Sequence, residues 1–331
     1  MATPNLDVVG IGNAIVDVLV PSTDTFLSNH ELKKGIMALV DENRADALYR
    51  AMGSGVEASG GSCGNTMAGI ASLGGKGAYI GKVRDDQLGK VFAHDMRAIG
   101  VRFDTAPLTK GPATARCLIL VTPDAQRTMN TYLGACVELG PEDIDPALIQ
   151  SAQVTYLEGY LFDPPRAKEA FRKAAKIAHD AGRKVSLSLS DPFCVDRYRD
   201  EFRDLVANHV DILFANESEI CSLYEVNDFE DAVNRVRGNA DIAVLTRSEQ
   251  GSVVVTRDRE HRIPVHKADS VVDSTGAGDL YAAGFLYGLT NGKDLVTSGK
   301  LGSLAAAEVI SHYGARPETP LKDLAKKAGL L

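Results

Sequence analysis

The sequence predicts an α/β protein with a mainly parallel sheet. Short apolar runs rich in β-branched residues alternate with stretches of helical periodicity over most of the 331 residues. Glycine follows several helical stretches, as at Gly74, Gly100 and Gly182, where helices commonly end. No internal repeat is visible, and two β-rich segments interrupt the alternation at about residues 15–40 and 113–133. We therefore expect a single domain over residues 1–331, with those two segments inserted into it.

The regular elements follow from these patterns in chain order. Each predicted strand is a short apolar run, and each predicted helix repeats its apolar residues at helical spacing. The predicted core strands are Asp7–Gly10, Ala78–Gly81, Val154–Leu157, Lys184–Leu189, Val210–Phe214 and Asp241–Thr246. The predicted helices are Glu42–Met52, Gly64–Leu73, Gln87–Ile99, Pro165–Ala181, Arg199–Asn208, Asp231–Val236, Asp279–Leu289 and Leu301–Ile310.

The second β-rich segment predicts a β-hairpin. Its two arms, Arg116–Val121 and Arg127–Leu133, flank a turn over residues 122–126 that contains a proline. Together with the segment at about residues 15–40, this hairpin predicts a small sheet that acts as a lid over the site.

Charge and cysteine content exclude several classes of function. The net charge of −8 is spread along the chain, so we expect neither nucleic acid nor a membrane surface as a partner. The five cysteines form no Cys-x-x-Cys pair and no Cys/His array with zinc spacing, which is typical of a reducing compartment. No stretch reaches the roughly 18 apolar residues of a membrane span. We expect a cytoplasmic protein.

The most informative segment is a glycine-rich turn that leads into an apolar helix, Leu280–Leu289. Gly276 and Gly278 flank Ala277, so the backbone can turn sharply and leave its N–H groups uncovered at a helix N-terminus, where anions bind. Asp279, in the same turn, suits a base that takes a proton from a hydroxyl attacking a phosphate. The alternative is that Asp279 only caps the helix.

A second polar cluster follows the predicted strand Val210–Phe214. Asn216 and Glu219 are three residues apart and share one face of a first helical turn. An amide and a carboxylate there suit Mg²⁺ held through water, since this ion keeps few direct protein ligands. Equally, the pair can be a capping box.

The segment from Thr246 to Gly251 connects two further β-like runs. Arg247 is a candidate for contact with nucleotide phosphate, and Gly251 permits a turn. A polar hairpin loop without function explains the same residues.

Two clusters near the N-terminus suit a sugar. Asp17, just past the first strand, can accept two hydrogen bonds from a vicinal diol, or it is a solvated strand-end carboxylate. Gly60 and Gly61 allow close backbone approach to a sugar, and Asn65 could bond its hydroxyls; alternatively this is a flexible loop. The segment Gly10–Asp17 lacks the last glycine of a dinucleotide fingerprint, which argues against an NAD-dependent dehydrogenase.

Taken in order, these motifs resemble the ribokinase-like (PfkB) family of carbohydrate and nucleoside kinases. Gly60-Gly61 with Asn65 comes first, Asn216-x-x-Glu219 lies in the middle, and the Asp273–Asp279 segment comes last. Within the family the chain is most similar to the adenosine kinases, through Gly12-Asn13-x-x-x-Asp17 and the lid segment. The resemblance implies a three-layer αβα core, a small β-sheet lid and ATP-dependent phosphorylation of a ribose 5′-hydroxyl.

The resemblance also implies roles for single residues. Asp279 would be the base, the amides of Gly276, Ala277 and Gly278 the anion hole, and Arg127 of the lid a phosphate clamp. The residues implied in substrate binding are Asn13, Asp17, Gly60, Gly61 and Asn65. Those implied at the nucleotide are Asn216, Thr246, Arg247, Gly251 and Asp273, with Asn216 and Glu219 organising Mg²⁺ through water. The implied cofactors are ATP and Mg²⁺.

Some features stay open. A monovalent cation is possible, but Glu318 stands where several sugar kinases have a small hydroxyl residue, and Ser248 stands where many relatives carry glycine. Ile15, Met129 and Leu133 favour a substrate with a flat base. The alternatives are a kinase of another sugar or nucleoside, and a non-catalytic nucleoside-binding regulator. We expect a monomer or a homodimer.

Overall fold

The computed structural model describes residues 3–124, 126–268 and 270–331. Ala125, in the turn predicted for the lid, lies outside the described residues, as do Met1, Ala2 and Asp269. The described residues form two sheets and a set of helices that cover the larger sheet on both faces. The predicted α/β class with a mainly parallel sheet is confirmed.

The strands are numbered in chain order. They are Leu6–Ile11 (β1), Ile15–Pro21 (β2), Met37–Leu39 (β3), Val56–Ser59 (β4), Gly77–Ile80 (β5), Arg102–Phe103 (β6), Ala115–Val121 (β7), Arg127–Tyr132 (β8), Ala152–Glu158 (β9), Lys184–Ser188 (β10), Ile212–Asn216 (β11), Ile242–Thr246 (β12), Ser252–Thr256 (β13) and Glu260–Ile263 (β14). Within the described chain, the larger sheet has the order β14-β13-β12-β11-β10-β9-β1-β5-β6 and the smaller one β3-β8-β7-β2-β4. Among the described strands of the larger sheet, β13 pairs antiparallel with both neighbours, β12 and β14, and the remaining pairs are parallel.

The α-helices are numbered in the same way. They are Asp24–Asn29 (α1), Glu42–Ala51 (α2), Ser62–Ser72 (α3), Gln87–Ala98 (α4), Pro146–Ser151 (α5), Pro165–Asp180 (α6), Pro192–Arg197 (α7), Arg199–His209 (α8), Glu217–Tyr224 (α9), Phe229–Val236 (α10), Ala277–Thr290 (α11), Leu295–Val309 (α12) and Leu321–Lys327 (α13).

Alternate residues of each central strand face opposite layers. In β9, Leu157 packs into the cluster that includes Phe171 of α6, whereas Tyr156 packs into the cluster that includes Phe285 of α11. This period of two buries both faces of the sheet and produces three layers, helices on sheet on helices.

The smaller sheet contains the predicted hairpin. β7 and β8 pair antiparallel from Arg116 opposite Tyr132 to Val121 opposite Arg127, which confirms the hairpin. β2 joins β7 in parallel, and β3 adds to β8. β4 was not predicted, because its four residues come directly before a glycine pair and lack an apolar run.

Several helix boundaries differ from their predictions. α12 begins at Leu295, six residues before the predicted Leu301, because the Asp294 side chain accepts a hydrogen bond from the amide of Thr297 and caps the helix there. α11 begins at Ala277, so Asp279 lies inside its first turn. The backbones of these two helices touch: a Cβ at Gly284 would collide with the carbonyl oxygen of Leu301.

Candidate active site

Polar side chains gather at the carboxyl ends of the parallel strands. Asn13 follows β1, Glu158 ends β9, Asn216 ends β11 and Thr246 ends β12. These strands run in one direction, so their ends lie along one edge of the sheet. Ligands of open α/β sheets bind at this edge.

The turn before α11 depends on glycine at one position. Gly276 is the N-cap and has a φ of +80°, in the left-handed region that favours glycine. A Cβ at this position would lie 2.8 Å from the Cβ of Ala315. The amide of Ala277 donates to the carbonyl oxygen of Ser274 (3.2 Å), whereas the amides of Gly276 and Gly278 donate to no acceptor among the described residues. Two of the three predicted anion-hole donors are therefore available.

Asp279 is held from a neighbouring helix. The hydroxyl of Ser62 donates to Oδ1 (2.6 Å) and the amide Nδ2 of Asn65 donates to Oδ2 (3.0 Å), both from the first turn of α3. Burial raises the pKa of Asp279 to about 6, while these two hydrogen bonds and the charge of Arg316 act in the opposite direction. Asp279 is thus a carboxylate near neutral pH whose basicity exceeds that of an ordinary aspartate.

The start of α3 rests on the loop after β1. Gly61 is the N-cap with a φ of +79°, and a Cβ there would lie 2.5 Å from the carbonyl oxygen of Asn13. This close approach sets the position of α3 relative to β1, and hence that of Ser62 and Asn65.

Glu158 ties the same two segments together. It is 1% exposed, accepts from Nδ2 of Asn13 (2.7 Å) and from the amide of Cys63 (2.8 Å), and burial raises its pKa to about 7. Glu158 was not predicted as a site residue from the sequence. The available signal was its position as a carboxylate at the end of an apolar strand of the central sheet.

Asp17 reaches the site from the smaller sheet. Its carboxylate lies against Gly60, since a Cβ at Gly60 would collide with it. Burial raises the pKa of Asp17 to about 6; Arg316 and Arg127 lower it and Asp279 raises it. Asp17 and Asp279 keep partial solvent exposure although protein surrounds them on most sides, as expected of groups that line a cleft.

Arg316 is a second residue that the sequence analysis missed. Its Nε donates to Oδ1 of Asn65 (3.0 Å), and its Nη2 donates to the carbonyl oxygen (2.7 Å) and the hydroxyl (3.1 Å) of Ser59. Its position in Gly314-Ala-Arg-Pro317 gives no local signal, because these partners lie about 250 residues away in the chain.

Arg127 connects the smaller sheet to the turn before α11. Its Nη1 lies 2.7 Å from Oδ2 of Asp273, and both side chains are almost fully buried. Asp273 also accepts from the amide and hydroxyl of Thr275 (3.1 and 2.7 Å) and from the amide of Gly314 (3.1 Å). Nε and Nη2 of Arg127 are buried and have no hydrogen-bond partner within the described residues, so they can receive an anion.

Asn216 and Glu219 form the capping box of α9. The Asn216 side chain accepts from the Glu219 amide (2.9 Å), while Glu219 accepts from the backbone amide (2.9 Å) and Nδ2 (2.6 Å) of Asn216. Burial raises the pKa of Glu219 to about 7. The capping interpretation is confirmed, and the role in organising Mg²⁺ stays a prediction.

The loop after β12 is anchored through Arg247 to the neighbouring helices α9 and α10. Arg247 donates to both carboxylate oxygens of Glu217 (3.1 and 3.0 Å) and stacks on Phe229. Ser248 has a φ of +48°, a conformation that favours glycine, and Gly251 makes the turn back into β13 with a φ of +81°. Thr246 pairs with Ser252 at the end of this hairpin. A contact of Arg247 with phosphate stays a prediction, since its guanidinium is already paired.

Comparison with known proteins assigns the family. The family model described as "pfkB family carbohydrate kinase" matches residues 36–322 of the chain. The chain belongs to the pfkB carbohydrate kinase family. It is therefore a kinase, a phosphotransferase that acts on an alcohol acceptor, and the family implies use of ATP.

Relatives of this kinase include two of similar structure. It is 54% identical to the adenosine kinase from Sinorhizobium meliloti, with a TM-score of 0.90 and coverage of 98% of this chain and 99% of that one. It is 53% identical to a probable sugar kinase protein from Rhizobium etli CFN 42, with a TM-score of 0.92 and coverage of 99% and 100%. The adenosine kinase of Saccharomyces cerevisiae is 27% identical over 326 residues, which cover 92% of this kinase and 94% of the yeast protein.

Within its described residues, no helix of this kinase is both long and apolar enough to cross a membrane.

Proposed function

We propose that this kinase transfers the γ-phosphoryl group of ATP to the 5′-hydroxyl of adenosine. The observation that carries the proposal is the position of Asp279 at the start of α11, beside the amides of Gly276 and Gly278, which have no acceptor within the described part of the chain. A base and anion-binding amides in one helical turn are what phosphoryl transfer to an alcohol requires.

The smaller sheet supports a nucleoside as the acceptor. Strand pairing places Ile15 and Met129 on the sheet face that also carries Asp17 and Arg127. Met37, opposite Met129 on β3, continues that face and is 49% exposed. An apolar surface beside a diol-binding carboxylate suits a ribose with a flat base. The similarity to the Sinorhizobium meliloti adenosine kinase supports the same substrate.

The proposed mechanism gives each group one task. Asp279 takes the proton of the 5′-hydroxyl, the oxygen bonds to the γ-phosphorus, and the bond to the β-phosphate oxygen breaks to release ADP. The amides of Gly276 and Gly278 stabilise charge on the transferring group, and Arg127 adds positive charge from the lid. Asp17, Asn13 and Asn65, with the backbone of Gly60 and Gly61, orient the ribose.

The donor set fits a magnesium ion held mainly by nucleotide phosphates and water. Asn216 and Glu219 offer oxygen atoms at the start of α9. In the part of the chain that the structure describes, no group of three or more His, Cys, Asp or Glu side chains could hold a metal alone. Such a set matches the preference of Mg²⁺ for few protein ligands. Bound magnesium would neutralise phosphate charge.

A panel of acceptors tests the proposal. Adenosine, guanosine, inosine, ribose and fructose are each incubated with Mg-ATP, and ADP release is measured. We expect adenosine to have the highest kcat/KM. Faster turnover of ribose or fructose than of any nucleoside would contradict the adenosine assignment.

A second candidate is a kinase of another sugar or nucleoside. The similarity to the Rhizobium etli probable sugar kinase favours it. So does the polar set of Asp17, Asn13 and Glu158, which could equally bind the hydroxyls of a free sugar. The same panel separates the two candidates.

A further inference from the structure

Arg316 lies where several elements of the site meet. Its guanidinium donates to Asn65 at the start of α3 and to Ser59 at the end of β4. The carboxylates that attract it are Asp17 from β2, Asp95 from α4 and Asp279 from α11, and Tyr79 of β5 also faces it. Arg316 has no part in the proposed transfer steps.

The bond to Asn65 fixes the direction of an amide. An asparagine side chain has one accepting end and one donating end, and an arginine can only donate. Because Nε of Arg316 donates to Oδ1 of Asn65, Nδ2 of Asn65 points at Oδ2 of Asp279. With the amide reversed, Asn65 would turn an acceptor towards the carboxylate.

The charge of Arg316 also acts on two carboxylates. Asp17 and Asp279 lie close enough for their charges to interact, so each raises the energy of the other in the ionised form. Burial lowers the pKa of Arg316, but a guanidinium starts from a pKa far above the working pH and stays charged there, so it offsets that repulsion. Of the attractions on Arg316, that of Asp17 is the strongest.

We propose that Arg316 is a positioning residue for phosphoryl transfer: it orients Asn65 to donate to Asp279, and its charge keeps Asp17 and Asp279 ionised. This inference rests on the proposed role of Asp279 as the base.

Two substitutions separate the geometric effect from the charge effect. Arg316→Gln removes the charge and Arg316→Lys keeps it without the planar guanidinium. The control is Arg237→Gln: the guanidinium of Arg237 pairs with Glu260 of β14 and donates to the carbonyl oxygen of Thr256 in β13. For each protein, kcat and KM for the accepted alcohol are measured from pH 5 to 9, and the melting temperature is recorded.

We expect Arg316→Gln to lower kcat by about 100-fold, as for a displaced catalytic group. The acid limb of its pH profile should move up by about one pH unit, as for loss of a nearby opposite charge. Arg316→Lys should keep the wild-type acid limb, near pH 6, with a reduced kcat. Glu158 and Glu219 also interact with Asp279, and both are unchanged in the two variants. Arg237→Gln should match the wild type in both readouts.

Two results would overturn the inference. One is that Arg316→Gln keeps both the acid limb of the wild-type pH profile and a kcat within threefold of the wild-type value. The other is a lower melting temperature with an unmoved pH profile, which would assign Arg316 a structural role only. If Arg316→Gln does not fold, Arg316→Lys decides: unreduced kcat in that variant refutes the geometric part.

A measurement without substrate separates this inference from the proposed function. In a double-mutant cycle of Arg316→Gln and Asp279→Asn, we expect the two changes in melting temperature to be non-additive, since the two charges interact. Additive changes would refute the inference whichever acceptor the panel identifies. Coupling together with ribose as the best acceptor would refute only the adenosine assignment.

Discussion

At the scale of single residues, Asp279 is both hydrogen-bonded and poorly solvated. Ser62 and Asn65 hold its two oxygens in fixed directions, while burial raises its pKa to about 6. A carboxylate with a pKa close to the working pH combines the ionised form with a useful affinity for protons. The same surroundings therefore supply orientation and basicity.

Substitution of this carboxylate by an amide should remove catalysis and spare binding. We expect Asp279→Asn to lower kcat by about 10²- to 10⁴-fold, as for loss of a general base, because an amide cannot accept the hydroxyl proton. Adenosine affinity, measured by calorimetry, should stay within a few-fold of wild type. Asp294→Asn, at the N-cap of α12, is the matched control and should keep full activity, since asparagine also caps helices.

Near-wild-type turnover by Asp279→Asn would contradict the role of Asp279 as the general base, because the variant has no carboxylate to accept the proton.

Single residues also show where sequence reasoning stops. The sequence predicted Asp279, Asn65 and Asp17 because each stands in a motif or at a strand end. Arg316 carries no such local mark, and the position of Glu158 at the end of an apolar strand was not by itself enough to assign it to the site. Arg316 meets Asn65 across 251 positions and Glu158 meets Asn13 across 145, so only the folded chain brings them together.

At the scale of elements, the turn before α11 is the most constrained part of the site. Gly276 has a left-handed backbone and no room for a side chain beside Ala315. This conformation aims the amides of the first turn away from the helix body. The anion-binding function of the helix therefore depends on one residue that has no side chain.

A methyl group at Gly276 should disturb this turn more than it disturbs the fold. We expect Gly276→Ala to lower kcat by about 100-fold or more, because loss of oxyanion-type donors has that magnitude. Gly292→Ala is the control: Gly292 has a similar φ of +73°, and no described atom lies within 4 Å of a Cβ there. Both variants should lose about 1 kcal/mol of stability from backbone strain, and Gly276→Ala more because of the clash. Urea unfolding and steady-state kinetics measure the two effects, and equal activity in both variants would refute the role of the turn.

Element types were predicted better than element ends. The alternation of apolar runs identified the core strands, because burial on both faces leaves a strong pattern. β3, β4 and β6 have two to four residues each and carry too little pattern to predict. The order of strands, with β1 between β9 and β5, depends on contacts distant in the chain.

At the scale of the whole molecule, buried carboxylates link stability to pH. Glu158 and Glu219 are 1% and 6% exposed, and burial raises the pKa of both to about 7 from the ordinary value of 4.5. The folded protein therefore binds their protons more tightly than the unfolded chain does. Their contribution to stability is full below pH 4.5 and is lost as the pH rises through 7.

Removal of one of these charges should flatten the dependence of stability on pH. Glutamine also completes a capping box, so Glu219→Gln keeps the start of α9. Relative to the wild type, we expect this variant to become more stable as the pH rises from 5 to 8, by at most about 3 kcal/mol. Urea unfolding at both pH values, without nucleotide or metal, measures the difference. If the free energy of unfolding of Glu219→Gln instead falls relative to the wild type as the pH rises, ionisation of Glu219 does not destabilise the folded protein.

The contact between α11 and α12 determines which part of the molecule can move. Because Gly284 rests on the backbone of α12, the helix that bears Asp279 cannot slide or tilt without its neighbour. The smaller sheet contacts the turn before α11 through the ion pair of Arg127 with Asp273. We therefore expect the smaller sheet, rather than the α11–α12 pair, to move when reactants enter and ADP leaves, and this movement can limit the rate of each catalytic cycle.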